Sequence, residues 1–307
     1  RDRDVTGVQT CALPILIRTM GLYSYDSSDI PKSDRIPKLI EDLYAGMPKI
    51  ESARAVLLTE SYRQTEDEPV VIRRAKAFQH ILENIPIVIR DQELIVGSTT
   101  TGPRGCQTYP EFSYDWLEEE FDTVAARPAD PFYISDKTKA ELKEVNAYWK
   151  GKTTSELATY YMEPETLLAI DHGIFTPGNY FYNGVGHVTV KYGEVLAIGF
   201  SGIKEKAVRQ KAKLSLTDGD YQQRSRFLEA VMISCDAAVT YAKRYAKLAL
   251  EEAGQCSDAV RKRELLQIAQ NCANVPEKGA TGFYEACQSF WFVQQLLQIE
   301  SSGHSIS

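Results

Sequence analysis

Histidine is scarce in this chain: His80, His172, His187 and His304 are the only four in 307 residues. None stands at short fixed spacing from another His or from a Cys, so no metal centre is expected. Cysteine is sparse too. Six are present and none pair as C-x-x-C, which excludes a disulfide scaffold and fits reduced thiols in a cytoplasmic protein. No run of about 18 apolar residues occurs, so no membrane span is expected. The phosphate-cradling patterns G-x-x-x-x-G-K-[ST] and G-x-G-x-x-G are missing, as is the nucleophile elbow G-x-S-x-G. Basic residues are in deficit, 35 Lys+Arg against 42 Asp+Glu for a net charge of −7. That balance provides no footprint for nucleic acid. What is present, 43% apolar and 25% charged residues, describes a globular, mostly helical protein with one large domain or two ordinary ones.

Both ends depart from this pattern. Residues 1–15 have neither helical nor strand periodicity, and the apolar run from Ala12 to Ile17 is short and interrupted by Pro14. That rules out a signal peptide. The string Val5-Thr-Gly-Val-Gln-Thr-Cys-Ala-Leu-Pro-Ile15 resembles a translated sequencing adapter of the kind that recurs in assembled metagenomic proteins. Residues 1–15 are therefore expected to be an artefact outside the fold, with Cys11 carrying no function. At the other end a helical, aromatic-rich pattern over 282–300 runs into Glu300-Ser-Ser-Gly-His-Ser-Ile-Ser307. A buried-looking helix there meets a Gly-His-Ser turn, and the expectation is a truncated reading frame.

Between the ends, apolar spacing predicts helices over 36–47, from a Ser52 cap to about Gln64, over 69–84, and over 115–126, 136–150 and 153–168. Further helices are predicted over 193–212, 219–253 and 257–273. In the longest, Phe227, Val231, Ile233, Ala237, Val239 and Tyr241 take the positions expected to be buried. Pro86 to Val96 reads as β, and 98–114 as loop. Residues 172–186 are punctuated by glycines and by Asn183-Gly184, a turn signal. Val185 to Val190 then alternates, placing Val188 and Val190 on one face and His187 and Thr189 on the other.

Few residues offer chemistry. His187 is the one His that a strand presents from a Gly-rich approach, and on this pattern a structural role and a ligand role are both open to it. His304 lies between Gly303 and Ser305 at a helix exit. The glycine lets the backbone turn, and the His-Ser pair can exchange hydrogen bonds with a small polar ligand. Cys106 has no neighbouring base and reads as an inert loop thiol. Cys235, Cys272 and Cys287 fall in apolar stripes and read as core. Glu118, Glu119 and Glu120 read as a solvated helix face.

Several strings taken together resemble one family. They are Glu51-Ser-Ala-Arg-Ala-Val-Leu-Leu-Thr-Glu-Ser-Tyr62, Arg90-Asp-Gln-Glu-Leu-Ile-Val-Gly97, Tyr109-Pro-Glu-Phe112, Gly178-Asn-Tyr-Phe-Tyr-Asn-Gly-Val-Gly-His187, Phe283-Tyr-Glu-Ala-Cys-Gln288 and Ile299-Glu-Ser-Ser-Gly-His-Ser-Ile-Ser307. They resemble the N-terminal part of the pyruvate formate-lyase-like glycyl radical enzymes, in particular the B12-independent glycerol/propane-1,2-diol dehydratases. The resemblance implies an α/β class, predominantly helical in this piece: the front of a ten-stranded α/β barrel with its helical shell, over residues 16–307. It implies an organic glycyl radical, installed by an activating enzyme that uses S-adenosylmethionine and an iron–sulfur cluster, with no metal or B12 bound. It implies radical dehydration of a small diol by a cytoplasmic homodimer. His187, and the pair His304 and Ser305, match residues that hydrogen-bond the diol hydroxyls.

Two departures accompany the likeness. No Cys here is followed two residues on by Glu, as in the family's Gly-Cys-x-Glu loop, and no Arg-Val-x-Gly-Tyr loop occurs. The catalytic Cys and radical Gly are thus expected beyond Ser307, and this piece alone is expected to be inactive. Ser302 also stands where Asn is expected. The alternatives are another glycyl radical lyase, cleaving C–C, C–N or C–S bonds, and a non-enzymatic helical domain binding a small polar ligand.

Overall fold

The computed structural model describes residues 33–176, 183–184 and 188–301. Eleven helices and two short strands are described. In chain order they are α1 (Arg35–Ala45), β1 (Lys49–Glu51), α2 (Ala53–Gln64), α3 (Val70–Asn84), β2 (Gly105–Gln107), α4 (Asp115–Glu119), α5 (Asp136–Trp149), α6 (Thr154–Tyr160), α7 (Pro164–Asp171), α8 (Tyr192–Lys211), α9 (Tyr221–Gln255), α10 (Ala259–Asn274) and α11 (Phe283–Ser301). Leu39–Ser307 forms one compact unit.

Helix α9 is the axis of packing, and α3, α8 and α10 lie against it. Its buried face is rich in small residues, with Ala238, Ala242, Ala246, Ala249 and Ala253 three to four apart. Side chains this small let neighbouring helices approach closely, while Tyr241 and Tyr245 fill the centre of the same face. The expected stripe is shifted in places. Ala237 and Tyr241 are buried, but Phe227 is 59% exposed. Cys235 and Cys272 are buried, as expected of core residues, whereas Cys287 is only half-buried.

The β reading of Pro86–Val96 is not borne out, although the residues are those of a strand. Among the described residues no neighbouring strand completes a ladder; side chains from the helices bond its backbone instead. The Gln288 amide, wholly enclosed, accepts from the Val96 N–H at 2.9 Å and donates to the Val96 carbonyl at 2.7 Å. Tyr284 donates to the Leu94 carbonyl and the Trp291 indole to the Gly97 carbonyl. Tyr245 and Tyr241 take the Ser98 N–H and carbonyl respectively. Arg261 donates to the carbonyls of Arg90 and Glu93. Gly97 has φ +134°, and a β-carbon there would press on Trp291.

Other departures are local. The loop over 98–114 includes β2, which pairs in parallel with β1 in the register Ile50 to Cys106. The helix expected over 115–126 shortens to α4 and a 3-10 turn at Val124–Ala126. That over 153–168 divides into α6, opened by a Thr153/Glu156 capping box, and α7, opened by Pro164. Helix α8 is broken at Gly199, whose φ of 63° and ψ of −179° are not helical. Beyond the break, Phe200 and Ser201 donate to the Pro276 and Glu277 carbonyls, and Ala280 donates back to Leu196. Ser52 precedes α2 but makes no side-chain cap; its hydroxyl donates to Glu141. No described helix is long and apolar enough to cross a membrane.

Candidate functional site

The C-terminal end of α11 is where separate parts of the chain converge. A helix leaves its last carbonyls without intrahelical partners. Here the carbonyl of Gln298 accepts from the Tyr109 hydroxyl at 2.6 Å. That of Ile299 accepts from Arg54 Nε at 2.5 Å. That of Glu300 accepts from Arg54 Nη2 at 3.0 Å and from Arg74 Nη2.

Arg54 comes from the first turn of α2 and is fully enclosed. Its main-chain N–H donates to Gln107 Oε1, which ties the start of α2 to β2. Its guanidinium lies 3.9 Å above the Tyr109 ring. Glu111 supplies the counter-charge: its carboxylate takes both Arg54 Nη atoms, at 3.1 and 2.6 Å, and Arg74 Nη1 at 3.0 Å. Arg74, from α3, also pairs through Nε with the Glu300 carboxylate at 2.7 Å. Two cations and two carboxylates therefore balance, with Arg54 and Glu111 buried and Arg74 and Glu300 reaching partly to solvent.

Burial pushes the Glu111 carboxyl up, but the Arg54 and Arg74 guanidiniums outweigh it and hold it below the usual carboxylate range. Burial pulls Arg74 down, and Glu111 and Glu300 raise it above its ordinary value. Burial pushes Tyr109 up to about 12, so its hydroxyl stays a donor.

A cavity of about 510 Å³ lies beside this cluster, lined among others by Cys106, Tyr109, Trp116, Leu142, Asn146 and Asn183. Two of its lining residues, Thr108 and Asn183, each hold a buried side-chain oxygen with no hydrogen-bond partner among the described residues. Such oxygens can accept from a hydroxyl-bearing ligand or from water. Burial pushes the Cys106 thiol up to about 11, in keeping with an inert thiol.

His187, His304 and Ser305 lie outside the described residues; of the strand expected over 185–190, Val188 to Val190 are described and form no more than a bridge at Val188. The residues that lead to them are described, and they meet. A β-carbon on Gly184, three residues before His187, would sit 2.6 Å from Phe112 Cζ and 2.9 Å from the Ser301 β-carbon. Ser301 is itself three residues before His304. His80 is a surface group paired with Glu60, and His172 closes α7 in an exposed position. Among the described residues no group of His, Cys, Asp and Glu is arranged to hold a metal ion. Arg54, Arg74, Glu111 and Glu300 were not singled out from the sequence. The one available signal was a charged Arg54 on the same helical face as Leu58 and Ser61, both buried.

Residues 29–307 match the family model described as Pyruvate formate lyase-like. A structure solved for 1,2-propanediol dehydration in Roseburia inulinivorans matches with a TM-score of 0.89 at 65% identity, over 92% of this chain and 34% of that one. The glycerol-bound B12-independent glycerol dehydratase from Clostridium butyricum matches with a TM-score of 0.88 at 54% identity, over 90% of this chain and 35% of that one. Among curated relatives, the (2S)-3-sulfopropanediol dehydratase of Klebsiella oxytoca is 36% identical over 84% of this chain and 32% of its own length. The isethionate sulfite-lyase of Desulfovibrio desulfuricans is 36% identical over 89% and 34%. The chain thus spans about a third of the length of the relatives it matches. Its helices and parallel strand pair are a portion of the barrel fold of those enzymes.

Proposed function

The chain belongs to the pyruvate formate lyase-like family, and from that premise we propose that it forms the diol-binding front of a glycyl radical dehydratase that removes water from propane-1,2-diol or glycerol. In this reading residues 16–307 are the N-terminal part of the enzyme and residues 1–15 lie outside its fold. One observation carries the choice of reaction. Identity is 65% and 54% to the propanediol and glycerol enzymes, against 36% to an isethionate lyase. The lyases that cleave other bonds are the second reading, because an isethionate sulfite-lyase is as near, at 36%, as the sulfopropanediol dehydratase.

The glycyl radical, installed by an activating enzyme with S-adenosylmethionine and an iron–sulfur cluster, supplies the hydrogen-atom chemistry through a cysteine. Neither that glycine loop nor that cysteine loop occurs in this sequence. The part of this chain is to bind and orient. His187, His304 and Ser305 hold the two hydroxyls of the diol. Hydroxide is a poor leaving group, so a His that hydrogen-bonds the departing oxygen lowers the barrier to its loss as water. A site built around hydroxyls also rejects analogues lacking them by large factors. The working protein is a cytoplasmic homodimer.

The test is anaerobic activation of the whole enzyme carrying this chain, followed by assay of both diols. Propanal or 3-hydroxypropionaldehyde is the expected product. His304→Ala should cut turnover by about 100-fold or more while leaving the glycyl radical signal intact. No aldehyde from either diol would overturn the assignment, and sulfite released from isethionate would replace it with the second reading.

A further inference from the structure

We propose that Arg54 and Arg74 are positioning residues for the diol site: together they fix the last carbonyls of α11 and so set the direction in which the chain leaves toward His304 and Ser305. This rests on the reading of those two residues given above. The last carbonyls of a helix have no intrahelical partner, and here those of Ile299 and Glu300 are taken by guanidinium groups from two other helices. Positive charge at this end also complements the helix dipole.

The fork of Arg54 holds both carbonyls at once, which a lysine cannot do. Glu111 grips Arg54 through two bonds and Arg74 through one, so neither guanidinium is free to swing away. Phe112, the residue after Glu111, is the surface against which Gly184 rests together with Ser301. The cluster therefore anchors the lead-in to His304 and the lead-in to His187 from one place.

The test uses Arg74, because Arg54 is fully enclosed and its loss endangers folding. Arg74→Gln and the charge-preserving Arg74→Lys are compared in the activated enzyme, with Lys211→Gln, at an exposed pair with Glu229, as control. Turnover of propane-1,2-diol is expressed per glycyl radical counted by electron paramagnetic resonance. Both Arg74 variants should retain the radical and the control should match wild type. Arg74→Gln should lose about 10- to 100-fold in kcat/KM, and Arg74→Lys should recover only a small part of it. Hydrogen exchange should quicken at the amides of residues 298–306 and not in α3 or α9. Wild-type exchange over 298–306 in Arg74→Gln, or unchanged kcat/KM per radical, overturns the proposal. Should the wild type make no aldehyde, the functional reading fails, and the exchange measurement still decides whether Arg74 fixes the helix end.

Discussion

Replacing Gly199 by alanine should be among the most damaging single-methyl changes in this protein. At φ 63° and ψ −179° the residue occupies a region essentially reserved for glycine, and a non-glycine residue there costs about 1–3 kcal/mol. The added carbon would lie 2.5 Å from the Lys278 carbonyl carbon and 2.6 Å from that of Glu277, closer still to the Glu277 oxygen. These are backbone atoms and cannot rotate away. Relief requires parting α8 from the 275–280 loop. That breaks the bonds from Phe200 to Pro276, Ser201 to Glu277 and Ala280 to Leu196, each worth about 1 kcal/mol net. The sum is about 4–6 kcal/mol, or a fall in Tm of about 10–20 °C for a chain of this size. Gly193 provides the control: it sits in the first turn of the same helix, and a β-carbon there meets nothing. Gly193→Ala should be neutral or stabilise by up to about 1 kcal/mol. Thermal melts followed by far-ultraviolet circular dichroism compare the two. A Gly199→Ala protein melting within about 2 °C of its parent would refute the reasoning.

Three further outcomes are expected. Gln288→Met keeps the bulk but leaves the Val96 N–H and carbonyl buried without partners, at a cost of about 2–5 kcal/mol; urea unfolding should show a lower midpoint at unchanged slope. The Glu111 carboxyl is held below its ordinary value of 4.5, so its contribution is fully present above that unfolded value and is lost as pH falls through the folded value. Acid titration of stability should therefore be shallower in Glu111→Gln, which already lacks the paired charge, than in the parent. Burial pushes Cys106 and Cys235 up to about 11. Relative to an ordinary thiol, their thiolate fraction near neutral pH is roughly 100-fold smaller, so mass spectrometry after brief alkylation should find both unmodified until urea is added.

The helices were legible because their apolar spacing is local information. The expected bounds of the helices beginning at Ala53, Val70 and Asp136 lie within a residue or two of those observed. The β reading of 86–96 failed for a physical reason. β-branched residues report a partly buried, non-helical chain, and this stretch is that, but it turns at Asp91 and Gln92, where Gln92 has φ 65°, rather than running extended. They do not report whether its partner is a strand or an amide such as Gln288. The break in α8 was hidden likewise, since the demand for a glycine at 199 comes from a loop some eighty positions away. The charged cluster draws Arg54, Arg74, Glu111 and Glu300 from four segments, three of which supplied strings of the family likeness. Their convergence is a property of the tertiary structure alone.

The stretch from Leu94 to Ser98, bonded by side chains of helices rather than by another strand, has a bearing on how the chain folds. Its partners lie far away in sequence: Ser98 waits for Tyr245, 147 positions on, Val96 for Gln288 at 192, and Gly97 for Trp291 at 194. The clasp on Ile299 spans 245. Local helices can form early, but contacts of this range come after the loop entropy between them has been lost. During synthesis this stretch can complete its bonds only once α11 has been made. Helix α11 is thus the closing piece of the unit, and a chain arrested before it would leave the carbonyls of Leu94, Val96 and Gly97 to water.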